Sequence, residues 1–153
     1  MKKRSIKITS TILVVFLTCA ISFAAQEFVV QRVVDGDTII LNGNERVRLI
    51  GVDTAETVHP QKPVEYYGKE ASAFTKRMCE GKKVRLEYDW QKKDRYNRTL
   101  AYVYLEDGTF LNAEIIKQGY GHAYTRFPFK YLEEFRAYER EAREGGVGLW
   151  GKE

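Results

Sequence analysis

Between Phe28 and Val52 the chain passes through three β-branched stretches separated only by turn residues. "FVVQRVV" (Phe28 to Val34) runs into Asp35-Gly36, "TIIL" (Thr38 to Leu41) runs into Asn42-Gly43-Asn44, and "RVRLIGV" (Arg46 to Val52) completes the series. Asn-Gly readily takes the positive φ of a type I′ turn, so this segment predicts a three-stranded meander. A helix is expected next, because Ala71, Phe74, Thr75 and Met78 recur at i, i+3, i+4 and i+7, and Gly81 suits the position just past its end. "KVRLEYDW" alternates Val84, Leu86, Tyr88 and Trp90 with charged residues, the pattern of a half-exposed fourth strand. Thr99 to Leu105 reads as a fifth strand. "LNAEIIKQG" reads as a short helix with Asn112 as N-cap and Gly119 as terminator. A charged helix follows, with an inner stripe of Leu132, Phe135, Tyr138 or Glu139, and Ala142, and Trp150 offers an anchor after it. Five strands, one helix between the third and fourth, and two helices after the fifth predict a mainly β, α+β domain. The expected architecture is a five-stranded Greek-key OB-fold barrel with three helices.

The first 25 residues read differently. Lys2, Lys3, Arg4 and Lys7 precede an apolar stretch from Ile8 to Phe23, and Ser22 and Ala24 suit a cleavage point. Residues 1–25 are therefore expected to be a secretory signal peptide and 26–153 the mature domain, secreted or periplasmic and free of the membrane after cleavage. An uncleaved anchor is the alternative. The four bases of this leader account for the whole excess of 25 Lys+Arg over 21 Asp+Glu. Bulk charge thus gives no argument for nucleic-acid binding, and any attraction has to come from local placement of cations. Cys79 is the one cysteine outside the leader, which excludes an internal disulfide and a cysteine-based zinc site. It falls on the apolar side of the first helix and is expected to be buried and inert. His59 and His122 are far apart and match no catalytic pattern, so both read as surface or structural residues.

Acids concentrate around the meander. Asp35 is accounted for by its turn, but Asp37 opens a strand, and Asp53, Thr54 and Glu56 follow the end of another. The second strand runs away from the Asp35-Gly36 turn and the third runs back, so Asp37 and the Asp53 to Glu56 segment reach the same end of the sheet. Converging carboxylates repel, and a hard divalent cation with oxygen ligands removes the conflict. Arg48 and Asp53 have opposite parity along their strand and can meet only if the chain bends, for which Gly51 is the candidate. Arg98 precedes an apolar strand, a position ordinarily occupied by a solvated residue.

"VVDGDTIIL", "VRLIGVDTAE", "YYGKEASAFTKRM", "DRYNRTLAYVY" and "GLWG" resemble, in order and separation, the successive motifs of the staphylococcal nuclease family. The resemblance spans roughly residues 28–150. It implies a monomeric, Ca²⁺-dependent phosphodiesterase that cleaves the P–O5′ bond of DNA and RNA, single-stranded or frayed, and leaves 3′-phosphates. It implies that Asp37 and Asp53 hold the metal through carboxylates and Thr54 through its carbonyl, with Asp35 just outside. Glu56 then activates or orients the attacking water, and Arg48 and Arg98 hold the scissile phosphate. Asp94, Arg95 and Tyr96 match the loop that binds the terminal nucleotide. Tyr124 matches one of two base-stacking tyrosines, and the second position reads as Arg126 or Phe127. Ala55 stands where the family usually has Pro, and Asn97 where it usually has Gly, a position at which Asn tolerates positive φ. An OB module that binds single-stranded nucleic acid without cleaving it is the alternative function.

Overall fold

The computed structural model describes residues 26–57 and 66–151, so the leader and His59 lie outside the described residues. Five strands form a closed barrel: β1 (Glu27–Asp35), β2 (Thr38–Leu41), β3 (Arg46–Leu49), β5 (Lys83–Glu87) and β6 (Thr99–Leu105). The order around the barrel is β1-β2-β3-β6-β5, with β5 returning to β1. One pairing, β3 with β6, is parallel, and it sets Arg48 beside Leu100. Register shifts between Val30 and Arg32 and between Val33 and Asp35 bend β1, so that its start pairs with β5 and its remainder with β2. This is the expected OB barrel with three helices: α1 (Gly68–Cys79), α2 (Leu111–Lys117) and α3 (Leu132–Glu144). Among the described residues no helix is long and apolar enough to cross a membrane.

The barrel interior is filled by Val30, Leu41, Val47, Leu49, Val84 and Val103, all at most 1% exposed. Ile115 and Ile116 of α2 and Phe135 of α3 extend that core, so the helices stack on the barrel. Tyr102 faces the outer side of β6 and is still fully buried, because Phe110 and Tyr131 cover it edge-on.

Four local expectations need correction. The predicted third strand is two: β3 stops at Leu49, Gly51 takes φ 74°, and β4 (Val52–Asp53) pairs with β7 (His122–Ala123) instead. The fourth barrel strand ends at Glu87 rather than Trp90, because Asp89 turns to accept hydrogen bonds from the Tyr102 hydroxyl and the Lys130 N–H. Positive φ in the hairpin falls on Gly43 and Asn44, not on Asn42, because Asn42 is tied to Val29 through its N–H and its side-chain oxygen. Asn112 is not an N-cap. Its buried amide accepts from the Val103 N–H and donates to the carbonyls of Ile50 and Ala101, stitching α2 to β6 and to the bend after β3.

Candidate active site

The Asp35-Gly36-Asp37 turn is clamped from two sides. The Gly36 carbonyl accepts the buried Thr75 hydroxyl of α1 at 2.7 Å. A Cβ on Gly36 would lie 2.8–2.9 Å from side-chain atoms of Thr54 and Ala71, so only glycine lets α1 and the Thr54 loop approach this closely. The second constraint is the bend at Gly51, where a Cβ would meet Phe129 at 2.7 Å and Phe135 at 2.8 Å. That bend overrides the strand parity and brings Asp53 back toward Arg48.

Arg48 gathers these pieces. Its Nη1 donates to the carbonyl of Val52 at 2.6 Å and of Leu49 at 3.3 Å, which closes the bend. Its Nη2 stands 3.1 Å from Asp37 Oδ2 and 3.3 Å from Asp53 Oδ1. Asp37 is itself fixed, because Oδ2 accepts the Thr54 N–H and hydroxyl at 2.9 and 3.1 Å, and Oδ1 accepts the Thr38 hydroxyl at 2.9 Å. Partial burial raises the pKa of Asp53 above the ordinary carboxylate value. The Arg48 charge pulls it down and the neighbouring Asp37 pushes it up again.

Asp35 performs a different task. Its Oδ1 accepts the backbone N–H and the hydroxyl of Thr57, and so anchors the loop that carries the exposed Glu56. Burial raises the Asp35 pKa. The Thr57 hydroxyl opposes that shift, and the adjacent Glu56 adds to it. A polar hollow of about 200 Å³ is lined by Asp35, Asp37, Asp53, Thr54 and Glu56 together with Arg48 and Arg98. Its donors are all oxygens, and two carboxylates share one guanidinium, so negative charge is left over. That set fits a hard divalent cation. Among the described residues no three His, Cys, Asp or Glu side chains group as a metal-ligand set.

Arg98 enters from the loop before β6, two residues ahead of the Leu100 that pairs with Arg48. The loop is organised by Asp94: Oδ1 accepts the N–H groups of Tyr96 and Arg98 at 2.9 Å each, and Oδ2 accepts Arg98 Nε at 2.7 Å. Asn97 supplies the positive φ (61°) that the turn requires. Arg95 and Arg98 lie 4.7 and 5.4 Å from the centroid of the Tyr96 ring, within cation–π range.

Arg48 and Arg98 also line a second, larger cleft of about 650 Å³, which includes Asp94, Arg95, Tyr96 and Tyr124. The Tyr124 N–H donates to the Gly51 carbonyl at 2.9 Å, so this tyrosine is hung from the same bend that places Asp53. The polar hollow and the aromatic cleft therefore share the two arginines.

Residues 46–152 match the family model described as "Staphylococcal nuclease homologue". The thermonuclease of Staphylococcus hyicus is 48% identical over 129 residues, which cover 82% of this chain and 76% of the relative. The thermonuclease of Staphylococcus intermedius is 47% identical over the same shares. Endonuclease YncB of Bacillus subtilis is 40% identical over 127 residues, 79% of this chain and 60% of that protein. The chain belongs to the staphylococcal nuclease family.

In this staphylococcal nuclease homologue every residue singled out from the sequence borders one of the two hollows: Asp37, Asp53, Thr54 and Glu56 the polar one, Asp94, Arg95, Tyr96 and Tyr124 the cleft, and Arg48 and Arg98 both. Three contributors were not read as parts of the site. Gly36, Thr75 and Asn112 act through buried hydrogen bonds or missing atoms, and such roles have no sequence signal. Trp90, read as the last apolar residue of the alternating fourth strand, instead leaves the barrel and forms part of the cleft wall. His122 is placed as expected, on the surface: its Nδ1 lies 3.2 Å from Glu139 and its ring meets Trp150 edge-on.

Proposed function

We propose that this family member is a secreted or periplasmic, monomeric, Ca²⁺-dependent nuclease that hydrolyses phosphodiester bonds in DNA and RNA. The observation that carries the reading is the sharing of Arg48 and Arg98 between a carboxylate-lined hollow and a cleft edged with aromatic rings. A phosphodiester needs cationic forks beside its non-bridging oxygens, and arginine supplies them in bidentate form at any physiological pH.

The residues divide the work as follows. Arg48 and Arg98 grip the scissile phosphate and meet the charge that builds on its oxygens during in-line attack. Glu56 orients the attacking water and takes its proton. The new bond is from water oxygen to phosphorus, and the bond lost is P–O5′. The products are a 3′-phosphate and a 5′-hydroxyl, whose oxygen takes its proton from solvent. Asp37, Asp53 and the Thr54 carbonyl would hold Ca²⁺, which supplies Lewis-acid polarisation of the phosphate when bound. Thr57 and Asp35 keep the Glu56 loop in place. Tyr96 and Tyr124 offer ring faces to unpaired bases, which favours single-stranded or frayed substrate. Residues 1–25 act as the export signal.

Release of acid-soluble nucleotides from denatured DNA tests the reading. Activity with Ca²⁺ that disappears on chelation is the expected result. Tight retention of an oligonucleotide with no release under either condition would favour the non-cleaving OB module instead.

A further inference from the structure

The cleft carries one large exposed ring, Trp90, that the proposed chemistry does not use. Trp90 is 69% exposed and Phe127 is 62% exposed, yet both line the same cleft as Arg48 and Arg98. Exposed rings of this size are costly to leave in water, and their placement here is not loose. The Trp90 indole N–H donates to the Pro128 carbonyl at 3.0 Å, and its backbone N–H donates to Asp89 Oδ1 at 2.8 Å. Asp89 is in turn held to the barrel by Tyr102 and Lys130. The Trp90 ring is thus fixed at its edge. Phe127 stands with its centroid 6.1 Å from that of Tyr124, and Arg126 reaches 5.9 Å from the same tyrosine ring.

We propose that Trp90 forms a base-stacking platform beside the Tyr124 and Phe127 rings, so that single-stranded substrate is held beyond the nucleotide at the scissile phosphate. This rests on the nucleic-acid reading of the site and extends it. Three features point to a nucleic-acid strand as the occupant. The cleft is continuous with the phosphate-binding arginines. Arg95 and Arg126 line it too, with guanidinium groups 4.7 and 5.9 Å from the centroids of the Tyr96 and Tyr124 rings. The Trp90 ring is held before binding, so stacking on it costs little conformational entropy. Ring faces beside cations suit unstacked bases joined by phosphates, and a paired duplex keeps its base faces covered.

Two substrates separate the platform from the catalytic centre. One is an oligothymidylate of about eight nucleotides, within the roughly 4–16 that an OB fold spans. The other is a single thymidine 3′-phosphate with a p-nitrophenyl phosphate ester at its 5′ oxygen, too short to reach the platform. Trp90→Ala is expected to raise KM for the oligomer about 5- to 150-fold, the usual range for one base–aromatic stack. The kcat on the oligomer and both constants on the short substrate should stay at wild-type values, and Trp90→Phe should recover most of the loss. Equal losses on both substrates, or no loss on the oligomer, would overturn the platform.

Tryptophan emission with chelator present reads binding without hydrolysis. The chain has two tryptophans, so oligothymidylate should quench the wild type and leave Trp90→Phe nearly unquenched. A wild type that is quenched in this way but cleaves neither substrate keeps the platform and removes the nuclease. One that cleaves both without Trp90-dependent quenching does the reverse.

Discussion

Asp37 and Asp53 share a single edge of the Arg48 guanidinium, with Nη2 at 3.1 Å from one carboxylate and 3.3 Å from the other. The other nitrogen, Nη1, holds the carbonyls of Leu49 and Val52. One side chain therefore closes the β3–β4 bend, gathers the two acids and faces both hollows. Arg48→Ala is expected to lower kcat by about 10²–10³-fold, or roughly 3–4 kcal/mol, on denatured DNA. Arg48→Lys should not restore it, because an ammonium cannot span two carbonyls and two carboxylates at once. Steady-state kinetics on the two variants checks both statements.

Gly36→Ala tests the clamp beneath the acids. The added methyl would press on Thr54 and Ala71 at under 3 Å, at a cost of about 1–3 kcal/mol for an overpacked site. Thr54 holds Asp37, so activity should fall by more than the loss of folded protein accounts for. Urea denaturation and initial rates measured on the same preparation separate the two effects.

Asp94 gives a pH-dependent prediction. Burial opposes its ionisation, but the N–H of Arg98, the Arg98 side chain and the N–H of Tyr96 outweigh it, so its pKa lies below the ordinary value. A depressed carboxylate contributes stability above its unfolded pKa, about 3.9, and loses it as pH falls through the folded value. The stability gap between wild type and Asp94→Asn should be full at neutral pH and shrink below about pH 3.9. Urea titrations across that range measure it. Asp94→Asn should also reduce kcat, because Arg98 loses its Nε partner.

Cys79 supplies a control for global folding. It is fully buried, its Sγ–H donates to the Thr75 carbonyl, and burial pushes its pKa up to about 12. The thiol should be inert to a disulfide reagent in native protein at neutral pH and react at once in denaturant. Fast native labelling would show that α1 does not pack as described.

The barrel and the meeting of the acids were legible because both follow from period-two alternation and turn chemistry. Thr38 to Leu41 and Arg46 to Leu49 pair antiparallel, and that returns the chain to the Asp37 end. Gly51 was legible as the bend that reconciles Arg48 with Asp53. Other parts left no such trace. The β4–β7 pair has two residues in each strand, too short for any period to show. Asn112 suits an N-cap by composition, but its amide finds three backbone partners that exist only after α2 docks on β6. Trp90 continues an alternating pattern in sequence, and what takes it off the strand is the distant Tyr102–Asp89–Lys130 contact. Local pattern reads strands and turns. Contacts between elements decide where strands stop.

The central claim is that Asp37, Asp53, Arg48 and Arg98 act together on a phosphodiester. The most direct measurement is the initial rate of nucleotide release from denatured DNA, with Ca²⁺ and with a chelator, for wild type, Asp53→Asn and Arg98→Ala. The account predicts Ca²⁺-dependent release by the wild type and a loss of about 10²-fold or more in kcat in the Arg98 variant, with a folded barrel. For Asp53→Asn it predicts a rate that recovers only partly at high Ca²⁺. Undiminished hydrolysis in chelator, or a wild-type rate from Arg98→Ala, would contradict it.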